Sequence, residues 1–176
     1  MHFFLKYLAY LTIIFSVGSV YGQPMEQVCP LVAKRATVDG GVISYLQGGT
    51  GQKILLLHGL FAQKEQWTEV GCALATKGFD VIAPDLPGYG ASNGYPISVY
   101  PLESQVKLLH QFLQQIDHGS MHIAGSSMGG EIAALYANQY PQQIRSLAFI
   151  GAPMGIIAWS GQVREAIFQG TNPFIP

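Results

Sequence analysis

The sequence predicts an α/β fold with a mostly parallel, doubly wound sheet, and two observations lead to that prediction. Short, uninterrupted apolar runs are found along the chain, and segments of helical spacing lie between them. Such runs are too short for helices and are typical of parallel strands that are covered on both faces. Strand, helix, strand, helix is also the element order of a doubly wound sheet. The four runs are residues 53–59, 80–83, 121–124 and 147–150.

The composition describes one globular domain without an electrostatic bias. The chain has 176 residues, of which 49% are hydrophobic and 11% are charged, and its formal net charge is -1. The nine Lys and Arg residues are scattered rather than gathered into a basic stripe. We therefore expect no nucleic-acid partner. We also expect no cofactor. The composition leaves the oligomeric state open.

The first 22 residues are expected to act as a secretory signal. Lys6 precedes an uncharged run over residues 7–20, and the small residue Gly22 allows cleavage before Gln23. Residues 3–5 lengthen the apolar stretch, so an uncleaved membrane anchor is one alternative and a buried helix is another. A cleaved signal predicts a periplasmic or secreted protein, whereas an uncleaved anchor predicts a protein held to a membrane by this segment.

Two cysteines follow the expected cleavage site. Export would permit a disulfide between Cys29 and Cys72. Cys72 lies in a stretch of helical spacing, where a thiol commonly behaves as a small buried hydrophobe, and this second interpretation is the one that the sequence favours. Neither cysteine has another Cys or His at ligand spacing, so we expect no metal site.

A hairpin and three helices complete the predicted elements. The Asp-Gly-Gly turn within residues 36–46 predicts an antiparallel hairpin at the start of the sheet. His110 lies beside the apolar stripe of the second helix and is expected at the surface or at its boundary. The irregular stretch 86–99 could line a site or serve as a solvated connection. The first helix is expected to bury a stripe of Trp67, Val70 and Leu74, and the third helix is apolar nearly all round. The three helices are expected over residues 66–77, over residues 102–116, and from the turn at 127 until shortly before Pro141.

The chemistry is predicted where the third apolar run leads through Gly-Ser-Ser-Met-Gly into a helix. In a Gly-x-Ser-x-Gly turn of this type the central residue, Ser127, lies on a strained turn and is exposed at the carboxyl edge of the sheet. Gly125 and Gly129 let the neighbouring backbone approach, and Gly130 is expected at a helix-to-strand contact. The helix directs its N-terminus and the Met128 N–H toward any negative charge at the serine. A plain turn of small residues is the alternative.

A second group, His58-Gly59-Leu60, ends the first apolar run. If the first and third runs are neighbours in the sheet, the backbone N–H groups of Leu60 and Met128 can converge on a carbonyl oxygen held over Ser127. His58 could be a general base, but it precedes the donor turn and is expected to be a structural ring bonded to nearby backbone.

Four segments together resemble the α/β-hydrolase superfamily in their order and spacing. They are Leu56-Leu57-His58-Gly59-Leu60 with Trp67 downstream, Val81-Ile82-Ala83-Pro84-Asp85-Leu86-Pro87-Gly88-Tyr89-Gly90-Ala91-Ser92, Ile123-Ala124-Gly125-Ser126-Ser127-Met128-Gly129-Gly130, and Leu147-Ala148-Phe149-Ile150-Gly151-Ala152-Pro153. The resemblance runs from about residue 53 to residue 153. Gly-Ser-Ser-Met-Gly-Gly is similar to monoacylglycerol-lipase-like and bacterial lipase or esterase members of the superfamily.

The resemblance implies that Ser127 is a nucleophile and that the Leu60 and Met128 amides are oxyanion donors. It also implies ester hydrolysis, because the epoxide hydrolases and dehalogenases of the superfamily carry an aspartate at the elbow. Leu60, Phe61 and Met128 surround the expected acyl site without a basic residue nearby, which favours lipid esters. The expected partners are a small ester or lipid and, through a lipid, the surface of a membrane.

One departure from the family pattern bears on catalysis. The family places an Asp or Glu and then a His after the serine, yet no His follows Ser127 and residues 151–155 contain no carboxylate. We therefore expect a partial hydrolase core over residues 23–155, followed by the start of a cap or lid at 156–176 in a truncated chain. The alternative to a lipase or esterase is a catalytically silent remnant or acyl-binding module.

Overall fold

The computed structural model describes residues 28–116 and 119–152, and the expected segments 1–22 and 156–176 lie outside them. Six strands and three α-helices occupy the described part of the chain. The strands are Val32–Val38 (β1), Gly41–Gly48 (β2), Gln52–Leu57 (β3), Phe79–Pro84 (β4), Met121–Ser126 (β5) and Ile144–Ile150 (β6). The helices are Thr68–Thr76 (α1), Leu102–Gln115 (α2) and Met128–Gln139 (α3), with 3-10 turns at Lys64–Trp67, Ile97–Val99 and Pro141–Gln143.

The six strands form one sheet in the order β1-β2-β4-β3-β5-β6. β1 and β2 pair antiparallel as a hairpin, and β2 pairs antiparallel with β4. β4, β3, β5 and β6 are parallel to their neighbours, so their carboxyl ends meet at one edge of the sheet. The predicted fold class, a mostly parallel α/β sheet, is confirmed.

The hairpin turn forms where the Asp-Gly-Gly sequence predicts it. Asp39 and Gly40 adopt φ angles of 49° and 80°, which is the left-handed backbone that two-residue hairpin loops of the primed type require. β1 and β2 therefore stay in register from Val38 opposite Gly41 to Val32 opposite Gln47.

The helices cover both faces of the sheet. α2 and α3 pack on one face, where Phe112 is fully buried and its ring meets that of Tyr45 edge to face at 4.9 Å. α1 packs on the opposite face, over a smaller cluster that includes Leu56, Trp67 and Val81. The predicted stripe of α2 faces the core, and α3 is buried nearly all round, as its sequence indicates.

The first helix departs from its predicted stripe. The sequence assigned Val70 to the buried face, but its side chain is 48% exposed, and the buried residues of α1 are Gly71 and Ala75. Gly71 allows a close approach, because a Cβ at this position would lie 2.8 Å from the Leu31 side chain. The 3-10 turn before α1 also changes the phase of the helix relative to a continuous helix from residue 66.

A disulfide joins Cys29 to Cys72, with the two Cα atoms 5.0 Å apart. The interpretation of Cys72 as a buried thiol is therefore wrong. The bond attaches the segment that precedes β1 to α1, across 43 residues of sequence. The two residues meet because the segment before β1 packs on α1, where Leu31 lies against Gly71, and this proximity has no counterpart in local sequence pattern.

Candidate active site

Ser127 connects β5 directly to α3 and lies at the carboxyl edge of the sheet. Its φ and ψ angles are 48° and -117°, a backbone region that L residues rarely adopt. The Ser127 N–H donates to the Ile150 carbonyl at 2.9 Å, and its own carbonyl accepts from the Gly130 N–H at 2.9 Å. The residue is exposed. A strained serine is thus fixed by backbone hydrogen bonds with its side chain open to solvent.

Three glycines around Ser127 have no room for a side chain. A Cβ on Gly125 would overlap the Gly129 carbonyl, and one on Gly129 would overlap the carbonyls of Leu57 and His58. A Cβ on Gly130 would overlap the Cβ of Ala152, which follows β6. The backbone of β5 and of the end of β3, together with the Ala152 side chain, therefore encloses the first turn of α3, as the turn predicted from the sequence requires.

The loop after β3 passes beside the serine. β3 and β5 are neighbours, with Leu57 level with Gly125. A Cβ built on Gly59 would lie only 3.4 Å from the Ser127 Cβ. Leu60 follows at once, and Met128 begins α3 immediately after the serine. The strand adjacency on which the expected pair of backbone donors depends is therefore present.

His58 is a buried ring with both nitrogens bonded to backbone. Its Nε2 lies 2.9 Å from the Leu86 nitrogen, whose N–H can only donate, so Nδ1 carries the proton and donates to the Gly59 carbonyl at 2.8 Å. Burial lowers the pKa of His58, although the Gly59 carbonyl acts in the opposite direction. A neutral imidazole with this bonding joins the loop after β3 to the loop after β4.

Asp85 is a site residue that the sequence analysis did not single out. Its side chain is fully buried, and its carboxylate accepts hydrogen bonds from the Lys64 backbone N–H at 2.7 Å, from Lys64 Nζ at 2.9 Å and from the Ala91 N–H at 2.8 Å. The Asp85 carbonyl accepts from Ser92 Oγ at 2.8 Å. Gly90, at φ 50°, would overlap the carboxylate if it carried a Cβ. The sequence signal that could have identified Asp85 is the Asp-x-x-x-x-Gly-x-Ser spacing of residues 85–92.

Lys64 completes this pair. Burial alone would lower the pKa of Lys64, but hydrogen bonds to Glu65 and Asp85 raise it above its ordinary value. The lysine is therefore a charged partner of Asp85 rather than a free cation at the site. The loops after β3 and β4 are joined by an ion pair at one point and by His58 at another.

The long stretch 86–99 borders the serine rather than serving only as a connection. Tyr89 Oη donates to Met128 Sδ at 3.6 Å, and the ring of Tyr89 meets that of His58 at 5.3 Å. Gln105 on α2 donates to the carbonyls of Pro87 and Val99 and so fixes the stretch near both ends.

The other histidines of the described residues are engaged away from Ser127. His122 is the second residue of β5 and lies five residues before the serine. Its Nδ1 pairs with Ser146 Oγ at 2.7 Å, and its Nε2 pairs with Gln52 Oε1 at 2.9 Å. Burial and the charge of Arg145 lower the pKa of His122. His110 is partly buried on α2, where its ring stacks on Tyr140 at 3.8 Å, in agreement with a boundary position. Neither ring is placed to take a proton from Ser127.

Two further observations concern ligands. No group of three His, Cys, Asp or Glu side chains suited to a metal occurs within residues 28–116 and 119–152. Over these same ranges, no helix combines the length and the apolar character needed to cross a bilayer. A cleft of about 540 Å³ lies at the amino ends of the strands, opposite Ser127, between residues that include Lys53 and Arg145.

Comparisons with known proteins agree with this geometry. Residues 53–172 match the family described as alpha/beta hydrolase fold. The chain is 34% identical over 111 residues to monoacylglycerol lipase abhd6-A of Xenopus laevis, covering 62% of the chain and 32% of that protein. It is 37% identical over 130 residues to lipase 3 of Moraxella sp. (strain TA144), covering 72% and 40% respectively.

The crystal structure of a membrane phospholipase A, a bacterial virulence factor, superposes with a TM-score of 0.69 at 36% identity. That match covers 83% of this chain and 47% of the other. The chain thus spans less than half the length of each of these relatives. The profile match, the strand order and the relatives together establish that the chain belongs to the α/β-hydrolase family.

Proposed function

We propose that this chain is the nucleophile-bearing part of a serine hydrolase that acts on carboxylic esters, with lipid esters as the favoured substrates. The observation that supports this most strongly is the backbone of Ser127, held at φ 48° and ψ -117° between a parallel strand and a helix with its side chain exposed. Strain of this kind persists where the surrounding structure imposes it, and it concentrates at functional sites. Ordinary turns of small residues do not need it.

In the proposed reaction the Ser127 hydroxyl attacks the ester carbonyl, and the carbonyl oxygen becomes an oxyanion. The N–H groups of Leu60 and Met128 are the proposed donors to that oxyanion, since the donor loop runs beside the serine and Met128 opens α3. One such donor contributes roughly 10²- to 10³-fold in rate in comparable enzymes. The oxyanion then collapses, the ester C–O bond breaks, and the alcohol oxygen takes up a proton in place of the one lost by Ser127. Water next attacks the acyl group, restores the Ser127 hydroxyl and releases the carboxylic acid.

The proton of Ser127 requires an acceptor, and the described histidines do not supply one. His58 is bonded at both nitrogens, His110 stacks on Tyr140, and His122 lies at the other end of β5. Oxyanion donors and binding without a base still leave roughly 10³- to 10⁴-fold acceleration over water in a comparable triad. A base would have to come from outside the described residues.

Lipid esters are proposed because the surroundings of the serine are apolar. Leu60 and Phe61 are exposed beside the donor turn, and the Met128 side chain is half-buried beneath Tyr89. Lys64, which ends the loop after β3, is buried against Asp85 and so presents no free charge there. The relatives named as lipases and as a membrane phospholipase A support the same substrate class.

Export through the N-terminal segment is the proposed route, with membrane anchoring as the alternative. The Cys29–Cys72 disulfide supports it, because disulfides persist mainly in oxidising compartments outside the cytosol.

A second candidate is a module that holds an acyl or carboxylate group without turning it over. The engagement of all three described histidines away from Ser127 favours it. An oxyanion cradle needs no base to bind such a group.

Covalent labelling by a fluorophosphonate tests the first proposal, with Ser127→Ala as the negative variant and Ser126→Ala as the matched control one residue away. We expect slow labelling of the chain and of Ser126→Ala, and none of Ser127→Ala. Rapid Ser127-dependent labelling would indicate a base outside the described residues. Labelling that survives Ser127→Ala would refute the assignment of the nucleophile. An unlabelled chain that binds a fluorescent fatty acid saturably would support the second candidate.

A further inference from the structure

The carboxyl edge of the sheet carries a set of large apolar side chains that are open to solvent. Leu60 is 50% exposed, Phe61 93%, Ile97 85% and Tyr100 42%. We name these four residues the apolar rim. Single exposed apolar residues are common on soluble proteins, whereas several around one site indicate an interaction surface.

Contacts connect the apolar rim around Ser127. On one side Leu60 and Phe61 directly follow Gly59, whose backbone adjoins the serine. On the other side Met128 contacts Tyr89, and the ring of Tyr89 lies 6.2 Å from that of Tyr100. Ile97 is tied to Tyr100 by a backbone hydrogen bond of 3.1 Å within the 3-10 turn. The two halves of the rim thus flank the same serine.

The rim is held in place rather than loosely exposed. Phe61 adopts φ 61°, a conformation that is uncommon for a bulky residue. The turn that contains it is closed by the Ala62 N–H, which donates to the Gly59 carbonyl at 3.2 Å. Tyr100 Oη donates to the Gly88 carbonyl at 3.4 Å. The fold therefore presents an aromatic ring to solvent at a strained position, although burial elsewhere would remove that ring from water.

The charges beside the rim exclude one class of partner. Lys64 is 6% exposed and is paired with Asp85 and with the half-exposed Glu65, each at 2.9 Å, so it presents no free cation. Two carboxylates around one lysine leave an excess of negative charge beside the rim. An anionic surface would therefore gain no attraction from these groups.

We propose that the apolar rim docks onto the surface of neutral or zwitterionic lipid, so that an ester group in that surface reaches Ser127 without crossing water. This inference rests on the proposed function, since it specifies where the lipid substrate is met. Phe61 and Ile97 would enter the headgroup region from the two sides of the serine. Surface binding of this kind scales with the apolar area that is buried.

Tryptophan quenching locates the contact on the full chain. We would make Phe61→Trp and Ile97→Trp, with Val70→Trp as the matched control, because Val70 is 48% exposed on α1 and outside the rim. Vesicles of phosphatidylcholine with brominated acyl chains quench only indoles that enter the bilayer. We expect a blue shift and quenching at positions 61 and 97, over the signal of the parent chain, and neither change at position 70.

This readout is specific to position, so membrane attachment by the N-terminal segment alone would leave positions 61 and 97 unquenched and would refute the proposal. Phe61→Ser should weaken partitioning into these vesicles by roughly ten-fold or more relative to Val70→Ser. Stronger quenching on phosphatidylglycerol would contradict the commitment to neutral lipid. Ser127 labelling without quenching would leave the proposed function standing and refute the rim. Quenching without labelling would support the rim as a docking surface and refute Ser127 as the nucleophile.

Discussion

Replacing Ser127 by glycine tests whether the turn is strained. A non-glycine residue in a sparsely populated φ/ψ region costs on the order of 1–3 kcal/mol, and at φ 48° and ψ -117° the Cβ of Ser127 is the source of that cost. Glycine removes the Cβ but adds about 0.4–1 kcal/mol of unfolded-state entropy that folding must overcome. At the midpoints of these two ranges, Ser127→Gly should therefore raise the free energy of unfolding by about 1.3 kcal/mol.

Ser127→Ala is the matched control, because it removes the same exposed hydroxyl and keeps the Cβ. We expect it to change the free energy of unfolding by no more than about 0.5 kcal/mol. Urea unfolding followed by tryptophan fluorescence, to which the buried Trp67 contributes, measures all three proteins. A glycine variant that is no more stable than the alanine variant would show that the backbone of Ser127 is not strained, and the main support for the nucleophile would be lost.

Three further predictions concern other parts of the fold. Gly129→Val should lower the melting temperature well below that of Ser127→Ala, because its side chain would overlap fixed strand carbonyls, and equal melting temperatures would contradict the packing at the turn. Replacing both Cys29 and Cys72 by Ala should lower the free energy of unfolding by up to about 4 kcal/mol, because the disulfide closes a loop across 43 residues of sequence in the unfolded chain. In urea unfolding, dithiothreitol should destabilise the parent protein but not this variant. The free energy of unfolding should also fall between about pH 7 and pH 5, by at most about 1.4 kcal/mol per pH unit for each histidine. Burial lowers the pKa of His58 in the folded protein, so the unfolded chain binds a proton first and stability is lost as the pH falls below the ordinary value. His58→Gln should flatten that dependence, and an unchanged slope would assign it to other groups.

The sheet and the serine turn could be predicted because each rests on a local pattern. Parallel strands covered on both faces need uninterrupted apolar residues, and the residues of β3 and β5 provide them. The turn at Ser127 needs glycines at fixed offsets, since neighbouring backbone occupies the space of a Cβ at Gly125 and Gly129. Both requirements are visible in a few consecutive residues.

The features that escaped prediction depend on residues that are distant in sequence. Lys64 and Asp85 are 21 residues apart, and nothing in either neighbourhood shows that the two loops meet. The pairing of Cys29 with Cys72 likewise depends on how the segment before β1 packs against α1. Val70 fits a helical stripe by spacing, but the 3-10 turn before α1 changes which residues face the sheet. The periodicity of a helix predicts which residues share a face, but it does not predict which face will contact the sheet.

The carboxylate of Asp85 has a consequence for how specificity can change in this scaffold. One buried side chain fixes Lys64, where the loop after β3 ends, and both ends of the turn after β4, so neither loop can be tilted without leaving an unpaired charge in the interior. Altering loop length or angle would therefore be a poor way to reshape the proposed acyl site. Its selectivity is better varied by exchanging the exposed side chains of Leu60 and Phe61, or the half-buried Tyr89, while the two loops keep their positions.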